Sequence, residues 1–103
     1  MNVTNQLLRL PLMALAAAHA VSRELWHAKY RGRDLECEGE SYEAFRITGE
    51  AIIALPCQSI DAVRDKVNLI LSDDALLETL TLGDDESAVI PLLRSFLGEG
   101  ALA

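Results

Sequence analysis

The sequence predicts an all-α fold, a compact bundle of about four helices with a long first helix. Apolar residues recur at steps of three and four along most of the chain, which is the spacing of one face of a helix. No segment alternates apolar and polar residues as a half-buried β-strand does. The chain has 103 residues, half of them hydrophobic, so we expect a single domain over residues 1–103 with a core of its own.

The first helix is predicted over residues 10–31. Pro11 suits an opening turn, where its missing N–H is no loss, and Gly32 is a typical stop. Residues 1–9 are expected to form a flexible arm or an extra turn. The residues predicted to face the core are Ala14, Ala18, Val21, Leu25 and Ala28, with Leu15 and Trp26 widening the row.

A second helix is predicted over residues 41–55, ended by Pro56. Ser41 is a suitable N-cap, and Glu43 lies in the first turn, where the helix dipole favours a negative charge. The predicted inward row is Tyr42, Phe45, Gly49, Ile52 and Ile53. Because glycine in a helix interior is about 1 kcal/mol less favourable than alanine, Gly49 predicts the close approach of a neighbouring helix.

A third helix is predicted over residues 59–72, with Ser59 as its N-cap. Its predicted apolar face is Ile60, Val63, Val67, Ile70 and Leu71. The residues predicted for the solvent side are Asp61, Arg64, Asp65 and Asn68. This is the clearest helical pattern in the chain.

The C-terminal third contains a short turn and a last helix. Ser72, Asp73 and Asp74 are expected to break the third helix and cap the short turn. The last helix is predicted over residues 87–97, with Gly98 as its stop. The acidic residues Asp84, Asp85 and Glu86 lie where a further helix cap is expected. Leucines are frequent here: Leu76, Leu77, Leu80, Leu82, Leu92, Leu93 and Leu97. They offer more apolar surface than a small bundle readily hides, which predicts self-association.

The segment between the second and third helices resembles a known pattern. Pro56 would stop one helix and Ser59 would cap the next, which predicts a tight corner between antiparallel helices. Together with Val63 and Lys66, these residues resemble a stretch found in small uncharacterised all-α proteins of alphaproteobacteria and their prophages. Where that group often has glycine and alanine, this chain has Ala62 and Asp65. The resemblance implies a helical fold and a bacterial or phage origin, and it implies no activity.

The chain is acidic, with 9 lysines and arginines against 16 aspartates and glutamates and a formal net charge of −7. Nucleic-acid binders neutralise phosphates with clustered cations, and the cations here are interspersed with acids. We therefore expect no direct nucleic-acid binding, no membrane binding and a protein as the partner.

One acidic segment is a candidate partner-binding surface. A polar loop over residues 32–40, with Leu35 as its only large apolar anchor, leads into the second helix. The candidate binding residues in and beside it are Glu36, Glu38, Glu40 and Glu43. A plain solvated loop is the alternative interpretation. Trp26 is a further candidate if it is exposed, whereas core packing with Tyr30, Tyr42 and Phe45 is the alternative for that side chain.

Two histidines and a cysteine are the only candidates for reactive chemistry. His19 and His27 are eight residues apart, which is not the i, i+4 spacing of a metal-binding pair on a helix. We expect His19 to be packed or at the edge of the core, and His27 to be solvated. Cys37 and Cys57 have neither zinc nor redox spacing and are expected to be free thiols. No metal or cofactor site is predicted.

The N-terminus has two interpretations. Arg9 precedes an apolar run that ends in Ala18-His19-Ala20, a small-x-small pattern typical of signal-peptide cleavage. The helical pattern nevertheless continues past that point. We expect a cytoplasmic protein with this segment retained; the alternative is export, with Met1–Ala20 as a signal peptide and a disulfide between the two cysteines.

Three functional hypotheses follow from these patterns. The first is a non-enzymatic bacterial or prophage accessory protein that acts through protein–protein binding or self-association, as a homodimer. The second is a phage-encoded acidic inhibitor that mimics nucleic acid and blocks a basic host protein, for example in anti-defence. The third is an enzyme with an unrecognised site near His19, His27 and Cys37.

Overall fold

The structure, a computed structural model, describes residues 3–81 and 88–98. For residues 3–10 it describes the backbone only. These ranges contain five helices and no β-strand, which confirms the all-α prediction. The helices are α1 (Val3–Lys29), α2 (Glu40–Ala54), α3 (Ile60–Ser72), α4 (Asp74–Thr81) and α5 (Val89–Phe96). There is one helix more than predicted because α4, expected to be a short turn, is a helix of its own.

Helix α1 begins at Val3, so of the two predictions for residues 1–9 the extra helical turn is confirmed and the flexible arm is wrong, for the part that the structure describes. Pro11 therefore lies inside the helix and not in its opening turn. The helix ends at Lys29 and a turn follows, in which Gly32 has a φ of 83°. Glycine adopts this left-handed conformation without steric cost.

The predicted inward row of α1 is wrong except for Leu15 and Trp26, which are half-buried and buried. The side chains that face the core are Leu12, His19, Ser22, Trp26 and Tyr30, all of them buried. The predicted residues Ala14, Ala18, Val21, Leu25 and Ala28 are exposed. Both rows have helical spacing, so the period alone does not choose between them. Packing selects the row with the larger side chains, because Leu12, Trp26 and Tyr30 remove far more apolar surface from water than alanines do.

Helices α1 and α2 pack as an antiparallel pair, joined by the loop. The Trp26 ring centroid lies 5.0 Å from that of Tyr42 and 5.0 Å from that of Phe45, which confirms the predicted aromatic packing. Gly49 is buried, and a Cβ atom placed on it would lie 3.1 Å from His19 Cε1. The predicted close approach at Gly49 is therefore confirmed.

Helix α2 begins differently from the prediction. It starts at Glu40, after Gly39 with a φ of 95°, and no side chain caps it, so the prediction of Ser41 as N-cap is wrong. Leu35 is exposed and does not anchor the loop. Two side chains hold the loop instead, one from the last turn of α1 and one from the residue directly after it. Trp26 Nε1 donates to the Glu36 carbonyl at 2.6 Å, and the Tyr30 hydroxyl donates to Glu38 Oε1 at 3.3 Å.

The corner between α2 and α3 has the predicted helix stop and N-cap, but the predicted antiparallel packing of these two helices is wrong. Helix α2 packs mainly against α1 and α5, and α3 packs mainly against α4. Helix α2 ends at Ala54, ahead of Pro56, and the Ser59 hydroxyl accepts a hydrogen bond from the Ala62 amide at 3.1 Å. The predicted apolar face of α3 is mostly wrong. Ile60, Val67 and Leu71 are exposed, whereas Val63 is half-buried and Lys66 and Ile70 are buried.

The last two helices are short. Asp73 Oδ1 accepts hydrogen bonds from the Ala75 and Leu76 amides at 3.0 and 3.2 Å, which confirms the predicted cap of α4. Gly98 follows α5 with a φ of 82°, as a C-terminal stop does. The predicted helix start at Ser87, together with Leu82 and the Asp84–Glu86 cluster, lies outside the described residues.

The core lies between all five helices. Its buried apolar centre is Leu12, Ile52, Ile70 and Leu76, with Leu15, Leu55, Leu69, Leu77, Leu80 and Leu92 partly buried around it. Helix α2 packs against α1 and α5, and α3 packs against α4 and touches α1. The molecule measures 46 × 30 × 23 Å, its length set largely by α1.

Candidate functional site

His19 lies in the interior where α1, α2 and the start of α4 meet. Its side chain is 2% exposed, and its ring stacks on Phe45 with centroids 4.6 Å apart. The Nδ1 atom lies 3.2 Å from the Phe45 carbonyl oxygen and 3.1 Å from Thr48 Oγ1. The prediction of a packed histidine is confirmed.

The partners of His19 determine which ring nitrogen carries the proton. The Thr48 hydroxyl donates to the Ala44 carbonyl at 2.8 Å, so its oxygen is left to accept from the ring. Nδ1 therefore donates, and in the neutral ring Nε2 is a bare acceptor. Nε2 has no hydrogen-bond partner and lies 3.9 Å from Asp73 Oδ2, which is also an acceptor. Burial lowers the pKa of His19, and this effect outweighs the opposing attraction of Asp73.

Lys66 is the second buried polar group, with 1% of its surface exposed. Its Nζ atom donates to the Ile53 and Leu55 carbonyls at 2.9 and 2.5 Å and to Ser95 Oγ at 2.9 Å. The three N–H groups of an ammonium thus have three acceptors. The two carbonyls belong to the C-terminal end of α2, where a cation is favoured by the helix dipole. Lys66 therefore caps α2 from α3 and also ties α5 to both helices.

Cys57 and Ser95 lie beside Lys66 and are joined to each other by a hydrogen bond. The Ser95 hydroxyl donates to the Leu92 carbonyl at 2.5 Å, and its own carbonyl accepts from the Cys57 amide at 2.8 Å. Burial lowers the pKa of Lys66, and the Cys57 thiol acts in the opposite direction. The cavity beside Lys66 and Cys57 has a volume of about 10 Å³, enough for one water molecule at most. Lysine and thiol are thus enclosed, and no small-molecule substrate has room beside them.

The structure does not bring His19, His27 and Cys37 together. His19 points at α2 and α4, whereas His27 is exposed and meets the Trp26 ring edge-on at 4.9 Å. Cys37 is exposed in the loop beside Tyr42, whose pKa is raised by burial and by this thiol. Among the described residues there is no group of three or more His, Cys, Asp or Glu side chains that could hold a metal ion.

The candidate partner-binding residues have different environments. Trp26 is 7% exposed, so the alternative of an exposed tryptophan at an interface is wrong. Glu36, Glu38, Glu40 and Glu43 are all exposed. Glu38 accepts from Tyr30, and Glu43 forms an ion pair with Arg46 at 2.7 Å. Arg46 also pairs with Glu50 at 3.0 Å. The negative charge around the start of α2 is therefore partly neutralised within the chain.

Rows of exposed apolar side chains lie on three helices. On α1 we define the outer row as Ala14, Ala18, Val21, Leu25 and Ala28; Val21 and Leu25 are each 57% exposed. On α3 the exposed apolar residues are Ile60, Val67 and Leu71. On α5 and its C-cap, together called the α5 row, they are Val89, Ile90, Leu93 and Leu97. Single exposed apolar residues are normal, whereas contiguous apolar surface marks an interaction site.

Sequence reasoning missed Lys66 as a structural residue. The corner pattern includes Lys66 but gives it no structural role. Its position in the helical repeat indicates the role. Lys66 is four residues after Ala62, three after Val63 and four before Ile70, and these three residues lie on the inner side of α3. A cation on the inner side of a helix, two turns after a capped corner, indicates a side chain that reaches back to the preceding helix end.

Comparison with known proteins identifies no relative. No family model, curated protein or solved structure matches the chain. Among the described residues, no helix is both long enough and apolar enough to cross a membrane.

Proposed function

We propose that this chain is a non-enzymatic accessory protein, of bacterial or prophage origin, that acts by binding protein chains through apolar helix faces. The partner is another protein or a second copy of the chain. The observation that carries the proposal is the outer row of α1, which runs along the longest helix and is exposed throughout. The resemblance of the Pro56–Ser59 corner supports the proposed origin.

The energetics of burial support this proposal. Moving a valine, leucine or isoleucine side chain fully out of water is worth about 1.5–3 kcal/mol. Leu25, Leu71 and Leu97 are 57%, 65% and 77% exposed. A partner that covers any one of the three rows removes the exposed part of these side chains from water, which the isolated chain does not do.

The buried polar groups support a structural role for the interior. In the part of the chain that the structure describes, His19 and Lys66 are the buried ionisable side chains with perturbed pKa values, and both are enclosed by packing. Lys66 has all its protons engaged, and His19 lies against Phe45. Among the described residues, Phe45 and Thr48 enclose His19, and the cavity beside Lys66 has room for one water molecule at most, an arrangement that favours a binding protein over an enzyme.

The experiment compares three pairs of substitutions, one for each exposed row. They are Val21→Gln with Leu25→Gln on α1, Ile60→Gln with Leu71→Gln on α3, and Leu93→Gln with Leu97→Gln in the α5 row. The control is Asp61→Asn with Arg64→Gln, two exposed polar residues of α3. Each tagged chain is cross-linked in the cells that naturally produce it, and the cross-linked proteins are identified by mass spectrometry.

We expect at least one apolar pair to lose a cross-linked protein that the wild type and the control retain, with helix content unchanged by circular dichroism. The lost protein can be the chain itself or another protein. If the wild type cross-links to nothing, or if all three apolar variants keep every partner, the proposed function is wrong.

A further inference from the structure

The outer row of α1 has a spacing that a second copy can match. Its members follow one another at steps of four, three, four and three residues. This is the heptad spacing of the a and d positions in a two-stranded coiled coil, with Ala14, Val21 and Ala28 at d and Ala18 and Leu25 at a. We infer that the outer row is the seam of a parallel homodimer, formed with α1 of a second copy; the inference rests on the proposed function.

The inner side of α1 is compatible with this seam. Leu12, His19 and Trp26 are buried in the chain's own core and are seven residues apart. Both rows repeat every seven residues, so the angle between them around the axis of α1 stays the same along the helix. The centres of the two rows are about 130° apart around the helix axis, so α1 can contact α2 along one row and a second α1 along the other, from Ala14 to Ala28.

The charges beside the outer row favour a parallel pair. Glu24 immediately precedes the a residue Leu25, and Lys29 immediately follows the d residue Ala28, so the two flank the row on opposite sides. In a parallel dimer such residues, five apart, face each other across the seam. Glu24 of each copy then lies opposite Lys29 of the other, and symmetry forms the pair twice.

Glu24 and Lys29 are both available for this contact. Both are exposed, and among the described residues neither forms an ion pair within the chain. The Lys29 ammonium lies 5.4 Å from the centre of the Tyr30 ring, a contact that a long flexible side chain can exchange for a carboxylate. In an antiparallel pair the same sides of the two helices would meet, so Glu24 would not face Lys29.

The seam is short, which makes the association reversible. From Ala14 to Ala28 an α-helix rises about 21 Å. Stable interfaces bury about 800 Å² on each partner, and two heptads rich in alanine give less than that. We therefore expect a dimer that dissociates on dilution.

The first test uses single cysteines placed along the seam. In a Cys37→Ser background, with buried Cys57 left in place, the variants are Ala14→Cys, Val21→Cys and Ala28→Cys. The control is Ala20→Cys, an exposed alanine of α1 outside the outer row. Equivalent d positions of a parallel dimer lie within reach of a disulfide at every heptad, whereas an antiparallel pair brings together only the residues nearest its two-fold axis.

After mild oxidation we expect all three d-position variants to form covalent dimers, at least tenfold faster than the Ala20→Cys control. Cross-linking at only one of the three positions would show an antiparallel seam and overturn the inference. Cross-linking at none of them above the control would also overturn it. The proposed function would stand in either case if an apolar pair on α3 or in the α5 row still loses its cross-linked protein.

The second test reverses the charges. Glu24→Lys should place two lysines opposite each other and weaken dimerisation several-fold, measured as the dissociation constant by sedimentation. Adding Lys29→Glu restores the opposite pairing and should restore the dissociation constant. If the second substitution weakens the dimer further, or if neither changes it, Glu24 does not face Lys29 and the parallel seam is wrong.

Discussion

The Nζ atom of Lys66 lies 2.9 Å from the Oγ atom of Ser95, and this hydrogen bond connects α3 to α5. Both side chains are fully enclosed, at 1% and 0% exposure. The same ammonium also holds the C-terminal carbonyls of α2. One lysine thus connects three of the five described helices.

Replacing Lys66 with methionine should destabilise the fold. Methionine fills similar space but leaves the Ile53 carbonyl and the Ser95 oxygen without this donor, and each buried group that loses its partner costs about 1–3 kcal/mol. We expect the free energy of unfolding, measured with urea, to fall by about 2–4 kcal/mol. Arg64→Met is the control, because Arg64 is exposed on the same helix. If the two variants are equally stable, the ammonium group of Lys66 adds nothing to the stability that its methylene chain provides.

Replacing Gly49 with alanine should destabilise the chain although alanine favours helices. The added Cβ would lie 3.1 Å from His19 Cε1, and His19 cannot easily move because Phe45 and Thr48 hold it. Overpacking of this kind costs roughly 1–3 kcal/mol, against a helix-propensity gain of about 1 kcal/mol. In a His19→Ala background the clash disappears, and Gly49→Ala should then be stabilising. A destabilising effect of the same size in both backgrounds would contradict the close approach.

The stability of the fold should fall on mild acidification because of His19. Burial lowers the pKa of His19 below its usual 6.5, so the unfolded chain binds the proton more readily than the native chain does. The contribution of this residue is present above pH 6.5 and is lost as the pH falls through the lowered pKa. Urea unfolding of the wild type and His19→Asn over this range isolates the effect, because the other titrating groups are shared. We expect the advantage of the wild type to shrink as the pH falls, and a constant difference between the two curves would refute this assignment.

Trp26→Phe should release the acidic loop. The substitution removes the hydrogen bond from Nε1 to the Glu36 carbonyl, which at 2.6 Å is the shortest contact between the loop and α1. We expect faster amide hydrogen exchange across residues 33–38 and a loss of about 1 kcal/mol in global stability. Tyr30→Phe is the matched comparison, since its hydroxyl makes the longer 3.3 Å bond to Glu38 and should matter less. Unchanged exchange in Trp26→Phe would mean that other contacts hold the loop.

Sequence patterns predicted the features of this fold that depend on local chemistry. The Ser59 and Asp73 caps, the stop at Gly98 and the corner at Pro56 each follow from the hydrogen bonds or dihedral angles that those residues allow. Gly49 was also predictable, because a costly glycine inside a helix needs a reason. The start of α2 was not, since a glycine with positive φ replaced the expected serine cap.

The orientation of α1 and α3 could not be predicted from their periodicity. Each helix carries more than one row at helical spacing, and the period is the same whichever row faces inward. On α1 the choice depended on the size of Trp26 and Leu12 and on the fit of His19 against Gly49, which involves residues far apart in sequence. On α3 it depended on Lys66, whose partners lie on α2 and α5. These contacts exist only once the helices have packed.

Sedimentation equilibrium of the wild type and the Val21→Gln/Leu25→Gln variant tests most directly whether the outer row binds a second chain. We expect the wild-type mass to rise with concentration from the monomer value of 11.3 kDa towards twice that value. The variant should remain a monomer at every concentration, with an unchanged circular dichroism spectrum. A wild type that stays at 11.3 kDa throughout, or a variant that associates as strongly as the wild type, would contradict the assignment of this face.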